Sequence, residues 1–197
     1  MNASRRQVVC VRHGETDWTI TGQHTGRTDI PLTQRGEGDA QRLGARLRET
    51  QFANVFTSPL QRARRTAELS GYRDTAQDDA DLMEWDYGAY EGLRAEDIWN
   101  ARPGWRLFED GCPGGESLAD VGRRADRVIA RIGTTEGDVL IFAHGHILRI
   151  LIARWVALPA IDARRLHLAT ASVSVLGYDH DLNEPLIRVL NSAPSSW

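Results

Sequence analysis

Two short apolar runs constrain this chain most, because each stops abruptly at a histidine. Gln7-Val8-Val9-Cys10-Val11 runs into Arg12-His13-Gly14, and Val139-Leu140-Ile141-Phe142-Ala143 runs into His144-Gly145-His146. Runs so short, β-branched and free of polar residues read as strands buried on both faces, a pattern typical of parallel sheets. Asn54-Val55-Phe56-Thr57 is a third run of this kind. Helical signals lie between them. Thr33 can cap a helix that carries Ala40, Leu43 and Leu47 inward, and Ser58-Pro59 reads as an N-cap followed by proline at the first helical position. That second helix turns Leu60, Ala63 and Ala67 to the core and stops near Gly71. Ser117 with Asp120 forms a capping box that opens a helix to Ile132, and another helix runs from about Ile147 to Val156. Ala171 to Tyr178 and Leu186 to Leu190 read as further strands. Strands alternating with helices predict one α/β domain over residues 1–197, a three-layer α/β/α sandwich with a largely parallel central sheet. Residues 75–116, rich in Asp, Gly, Trp and Tyr, read as an excursion of loops and short helices.

Composition narrows the chemistry. The 197 residues contain no lysine, so all 24 basic residues are arginine. A phosphate loop of the Walker type and Schiff-base catalysis are therefore closed to the chain. A net charge of -3 argues against nucleic acid as a partner. The most apolar stretch, Ile147 to Ala160, is interrupted by Arg149 and Arg154, so no membrane span is expected. Two cysteines, Cys10 and Cys112, make no disulfide framework, and the segment from Met1 to Arg6 has no hydrophobic signal region. A cytoplasmic protein is the expectation.

Ligands of open α/β sheets sit beyond the carboxyl ends of the strands, which puts His13 and His144 on one rim. Arg62, in the first turn after the strand that ends at Thr57, leans back toward the same rim, so Arg12, His13, Arg62 and His144 converge from three segments. Paired arginines with histidines suit a phosphoryl group, and amides near Thr25-Gly26 would add donors. A histidine in such a cage can attack phosphorus while a carboxylic acid protonates the leaving oxygen. Glu84, beside Trp85 and Tyr87, is the leading candidate for that acid, and spacing alone leaves Glu15, Asp86 and Glu91 in competition.

These motifs resemble those of the histidine phosphatase superfamily, the phosphoglycerate mutase-like family. Arg12-His13-Gly14-Glu15-Thr16 is similar to its signature, Gly22-Gln23-His24-Thr25-Gly26 to its phosphate loop, Thr57-Ser58-Pro59-Leu60-Gln61-Arg62-Ala63 to its second-arginine motif and Ala143-His144-Gly145 to its second-histidine motif. The resemblance implies that His13 is the phosphorylated nucleophile, that Arg12, Arg62 and His144 bind the phosphoryl group, and that Glu84 is the acid/base. It further implies backbone phosphate contacts from Thr25 and Gly26, and a reaction that needs no metal or other cofactor; Thr19 and Gly145 are taken as substrate contacts with them, and His24, one residue before Thr25, either contacts substrate or shapes the loop. Dimers are common in that family, so a homodimer is open, although no interface strip is legible.

The substrate class comes from departures. Phosphoglycerate mutases of the family carry a longer, lysine-bearing insert before the motif matched here by Gly115-Glu116-Ser117, and an asparagine where this chain has Thr19. A shorter interval leaves the site open to water and favours hydrolysis. Glu84 to Gly92 and Asp110 to Glu116 look most like the sedoheptulose-1,7-bisphosphatase-type, sugar-phosphatase branch. The expected function is thus a phosphomonoesterase for a small phosphorylated metabolite, with a phosphoglycerate mutase as the alternative and a non-catalytic scaffold as a lesser one. Other features read more plainly: Arg123, Arg124, Arg127 and Arg131 as a solvated helix face, Asp74 to Asp81 as a solvated turn, and His146 as a pocket-rim or helix-end residue. Trp99, Trp105 and Phe108 are read either as the substrate mouth or as a packed core of the excursion.

Overall fold

In the computed structural model, which describes residues 6–193, β1 (Val8–Arg12) forms where the first apolar run predicts. Its side chains alternate between two cores: Val8 and Cys10 join one cluster, Val9 and Val11 the other. That two-sided burial is why the run carries no polar residue. The helix α1 (Asp17–Thr21) follows, capped by Thr16 in a capping box with Thr19. Next come α2 (Gln34–Leu47), capped by Thr33 as expected, and β2 (Asn54–Thr57).

The helix α3 (Gln61–Ala67) starts later than Ser58-Pro59 suggests. Its N-cap is Leu60, without a side-chain cap bond, because the Ser58 hydroxyl turns inward to His144 instead. A π-helical turn, Glu68–Tyr72, is kinked at Gly71, whose φ of 94° only glycine adopts readily. The strand β3 (Ala76–Asp78) then joins the sheet edge. The excursion therefore begins after residue 78, not at 75, since a polar edge strand leaves no hydrophobic signal. It contains α4 (Ala95–Ala101) and α5 (Leu107–Asp110). The capping box of Ser117 and Asp120 opens α6 (Leu118–Gly133), and β4 (Val139–Ala143) leads into α7 (Gly145–Trp155). The chain closes with β5 (Val173–Tyr178) and β6 (Pro185–Ser192).

The six strands lie in the order β3-β2-β4-β1-β5-β6, with β1, β2, β3 and β4 mutually parallel and β5 and β6 antiparallel. One face packs on Leu43, Leu47 and Ala67 of α2 and α3. The other packs on Val121, Ala125, Val128 and Ile132 of α6 and on the apolar face of α7. This is the three-layer α/β/α sandwich. Among the described residues no helix is long and apolar enough to cross a membrane. One consequence of register matters for function. Arg12 pairs with Ala143 across β1 and β4, so the two histidines that follow leave the sheet side by side.

Candidate active site

The imidazole rings of His13 and His144 lie 5.1 Å apart, centroid to centroid, at the carboxyl ends of β1 and β4. His13 Nδ1 sits 2.7 Å from the Gly14 carbonyl oxygen, which can only accept. Nδ1 therefore carries the proton, and Nε2 keeps its lone pair. Burial holds His13 well below the ordinary histidine pKa, and the guanidinium charges of Arg62 and Arg12 hold it lower still. The ring is neutral in neutral solution and has a nucleophilic nitrogen. Close packing fixes it: a Cβ on Gly14 would meet the Gly36 carbonyl oxygen at 2.6 Å, and the Gly14 amide donates to Thr66 of α3.

His144 is tied by another route. Ser58 Oγ accepts the Leu60 amide at 3.3 Å and stands 2.7 Å from His144 Nε2; with no other acceptor for the hydroxyl among the described residues, its proton points to the ring. His144 Nδ1 is then the protonated nitrogen, and this buried atom has no partner. Its pKa too is well below the ordinary value, by burial first and then by Arg62. Arg62 is wholly buried. Its terminal nitrogens donate to the carbonyls of Thr25, Gly26 and Thr28, while Nε has no partner. Arg12 donates to the Leu168 carbonyl, and its Nε is likewise buried and partnerless. A Cβ on Gly145 would lie 3.4 Å from that Nε, so a glycine there lets the guanidinium rest against the start of α7.

A buried donor left unpaired costs about 1–3 kcal/mol. Three such donors around one nucleophilic histidine, on β1, α3 and the start of α7, form a cradle that an anion with several acceptor oxygens would satisfy. His13, Arg12 and Glu84 line a cavity of about 220 Å³, with Thr19, His24, Thr25 and Gly145 also on its wall. Arg62 and His144, both fully buried, are not among the residues that line it. Glu84 reaches the N-terminus of α7: Oε1 accepts the amides of Trp85 and Ile147, and Oε2 accepts only that of His146. Oε2 is thus the oxygen with room for a proton.

Four expectations need correction. The Gly26 amide does not face the cavity, because it donates to Glu91 Oε1 at 2.7 Å. Thr19 does line the cavity, yet its hydroxyl is engaged in the Thr16 capping box. Arg124 is buried rather than solvated: it pairs with Glu116 and donates to the carbonyls of Asp81, Met83 and Glu84, so it fixes the segment that carries Glu84. Asp79 and Asp81, read as a solvated turn, instead pair with Arg131 and Arg127. Trp105 and Phe108 belong to the packed core, while Trp99 is exposed.

Sequence reasoning also passed over part of the wall. Trp18, Gln23, Tyr87, Arg149 and His167 line the cavity, and His146 lines it beside Tyr87, whose hydroxyl lies 2.6 Å from His146 Nδ1. Arg149 lies over the Phe108 ring at 4.9 Å and donates to the carbonyls of Ala163 and Arg164. The three-residue spacing of His146 and Arg149 after a strand-end histidine was a usable signal, since it sets both on one side of the helix start. A larger groove of about 640 Å³ lies against α6, but its charged residues are paired, Arg154 with Asp126 and Arg164 with Glu109 at its edge.

Three histidines with depressed pKa values, the buried His13 and His144 and the half-buried His146, make stability depend on pH. The unfolded chain binds these protons near pH 6.5 and the folded one only at lower pH. Stability is therefore intact above pH 6.5 and declines as pH falls below it toward the depressed values. Thermal unfolding followed from pH 7.5 to 5 should show Tm decreasing over this window; a flat Tm would contradict neutral burial of the three rings.

Comparison with known proteins places the site in context. The family model described as "Histidine phosphatase superfamily (branch 1)" matches residues 8–191. An acid phosphatase of Mycobacterium tuberculosis is 37% identical, covering 98% of this chain and 97% of its own length. Sedoheptulose 1,7-bisphosphatase of Saccharomyces cerevisiae is 39% identical over 88% of this chain and 75% of its own. The solved structure of open reading frame Rv3214 from Mycobacterium tuberculosis superposes with a TM-score of 0.90 at 37% identity, covering 96% of this chain and 99% of that one.

Proposed function

Because the chain belongs to the histidine phosphatase superfamily, branch 1, we propose that it is a phosphomonoesterase that hydrolyses a small phosphorylated metabolite, a sugar phosphate or bisphosphate, through a phosphohistidine at His13. The observation that carries this reading is His13 itself, neutral, with Nε2 unprotonated, beside two guanidiniums whose buried Nε donors have no partner among the described residues. The sugar-phosphate class is supported by the bisphosphatase relative.

In the first step the Nε2 lone pair attacks phosphorus and the bond to the ester oxygen breaks. Arg12, Arg62 and His144 Nδ1 donate to the equatorial oxygens, where charge collects in the transition state. The departing alkoxide takes a proton from Glu84. In the second step Glu84, now a carboxylate, takes a proton from water as its oxygen attacks phosphorus. The phosphorus–nitrogen bond breaks, its electrons return to the imidazole, and inorganic phosphate leaves. A phosphate-release panel over sugar phosphates, sugar bisphosphates, phosphoglycerates and nucleotides, ranked by kcat/KM, tests the reading. Interconversion of 2- and 3-phosphoglycerate without phosphate release would overturn it in favour of a mutase.

The cavity wall away from His13 carries His24, His146, Arg149 and His167, and Glu84 is the single carboxylate among the lining residues. The Arg149 guanidinium, on a wall with so little negative charge, favours a substrate with a second anionic group. Arg149→Ala is expected to raise KM for a bisphosphate about 10- to 100-fold, the range of one hydrogen bond to a charged group, and to change p-nitrophenyl phosphate little. An equal loss on both substrates would sink the second-anion reading.

A further inference from the structure

Glu91, on the excursion, makes no contact with His13 and is not among the residues lining the cavity. Its carboxylate nevertheless collects three consecutive backbone amides of the loop after α1: Gly26 at 2.7 Å and Thr28 at 3.0 Å on Oε1, and Arg27 at 3.3 Å on Oε2. Amides of successive residues that point at one anion form a nest, and here the anion is a side chain of the protein itself. The carbonyls of the same loop face the other way. Those of Thr25, Gly26 and Thr28 are the three acceptors that hold the terminal nitrogens of Arg62. The loop is thus a thin layer with a carboxylate on its amide side and a guanidinium on its carbonyl side. Gly26 is needed for this, because a Cβ there would meet Glu91 Oε2 at 2.6 Å and the Trp85 carbonyl oxygen at 2.5 Å.

We propose that Glu91 is a positioning residue that acts through Arg62: by gripping the amides of residues 26–28 it sets the carbonyls that orient the guanidinium, and so aims Nε at the phosphoryl group. Two terminal nitrogens fixed by three carbonyls leave a planar fork no freedom to rotate, so the direction of Nε follows from the loop. Burial lowers the Arg62 pKa, the charges of Glu84 and Asp29 offset this first, and Glu91, one layer away, adds to them. The second-arginine motif therefore works only with a carboxylate delivered from the excursion. A capping role confined to the fold would stitch the excursion to the loop without affecting anion binding through Arg62.

The proposal rests on the reading of Arg62 as a phosphoryl ligand, and a double-mutant cycle separates the two. The dissociation constant of inorganic phosphate is measured by calorimetry for the wild type, Glu91→Gln, Arg62→Ala and the double variant, with Tm recorded for each. Arg62→Ala is expected to weaken phosphate about 100-fold and Glu91→Gln about 10-fold, with the double variant no weaker than Arg62→Ala alone, within about twofold. Fully additive losses, or an unchanged affinity in Glu91→Gln, would overturn the proposal while leaving the role of Arg62 intact. An unchanged affinity in Arg62→Ala would overturn both. If Glu91→Gln does not fold, Glu91→Asp, which keeps the charge on a shorter stem, enters the same cycle with the same non-additivity required.

Discussion

His13→Ala is expected to lower phosphate release by about 10⁴- to 10⁶-fold, the range seen when a covalent nucleophile is deleted from a site that keeps its other parts. The size follows from what remains. Arg12, Arg62 and His144 still hold an anion, so inorganic phosphate should bind the variant with little change in affinity. The histidine packed against His13 and the next one along the chain are not placed to take over the attack. His144 Nε2 is engaged by the Ser58 hydroxyl, and His146 Nδ1 by that of Tyr87. Steady-state phosphate release together with phosphate calorimetry checks this, and a rate within tenfold of wild type would remove His13 from the chemistry.

Glu84→Gln is the second large effect. The amide keeps the shape of the side chain but cannot deliver or remove a proton, so kcat on an alkyl phosphate should fall by about 10²–10⁴. The leaving group discriminates the two steps. p-Nitrophenolate departs without help, so phosphorylation of His13 by p-nitrophenyl phosphate should stay fast while attack by water loses its base. Rapid mixing should then show a burst of about one nitrophenolate per chain, followed by slow turnover. Equal slowing on both substrates without a burst would assign the proton transfer elsewhere, for example to the Tyr87–His146 pair.

What the sequence disclosed, and what it withheld, divide on physical lines. The central strands were legible because burial on two faces leaves an unbroken apolar run, and the juxtaposition of His13 with His144 follows from parallel neighbours in register at Arg12 and Ala143. The caps at Thr33 and Ser117 were legible because capping is local. Ser58 misled for the same reason: a cap signal is only a local preference, and a buried histidine 86 residues away won the hydroxyl. Arg124 misled because its position on α6 points outward by periodicity, yet the excursion folds over it and supplies Glu116. The role of Glu91 was out of reach, since nothing in its neighbourhood shows that the amides of residues 26–28 turn toward it. Arg149 was legible from its spacing after His146 on α7, whereas His167 reaches the cavity from a segment whose direction depends on how the loops close.

The direct test of the central claim is to trap the covalent intermediate. Enzyme mixed with ³²P-labelled p-nitrophenyl phosphate and quenched in alkali within milliseconds should carry acid-labile, alkali-stable label at His13, approaching one phosphoryl group per chain in Glu84→Gln and absent in His13→Ala. Label should form at least as fast as phosphate is released. Turnover in the wild type without any labelled protein, or label that persists in His13→Ala, would contradict a phosphohistidine at this position.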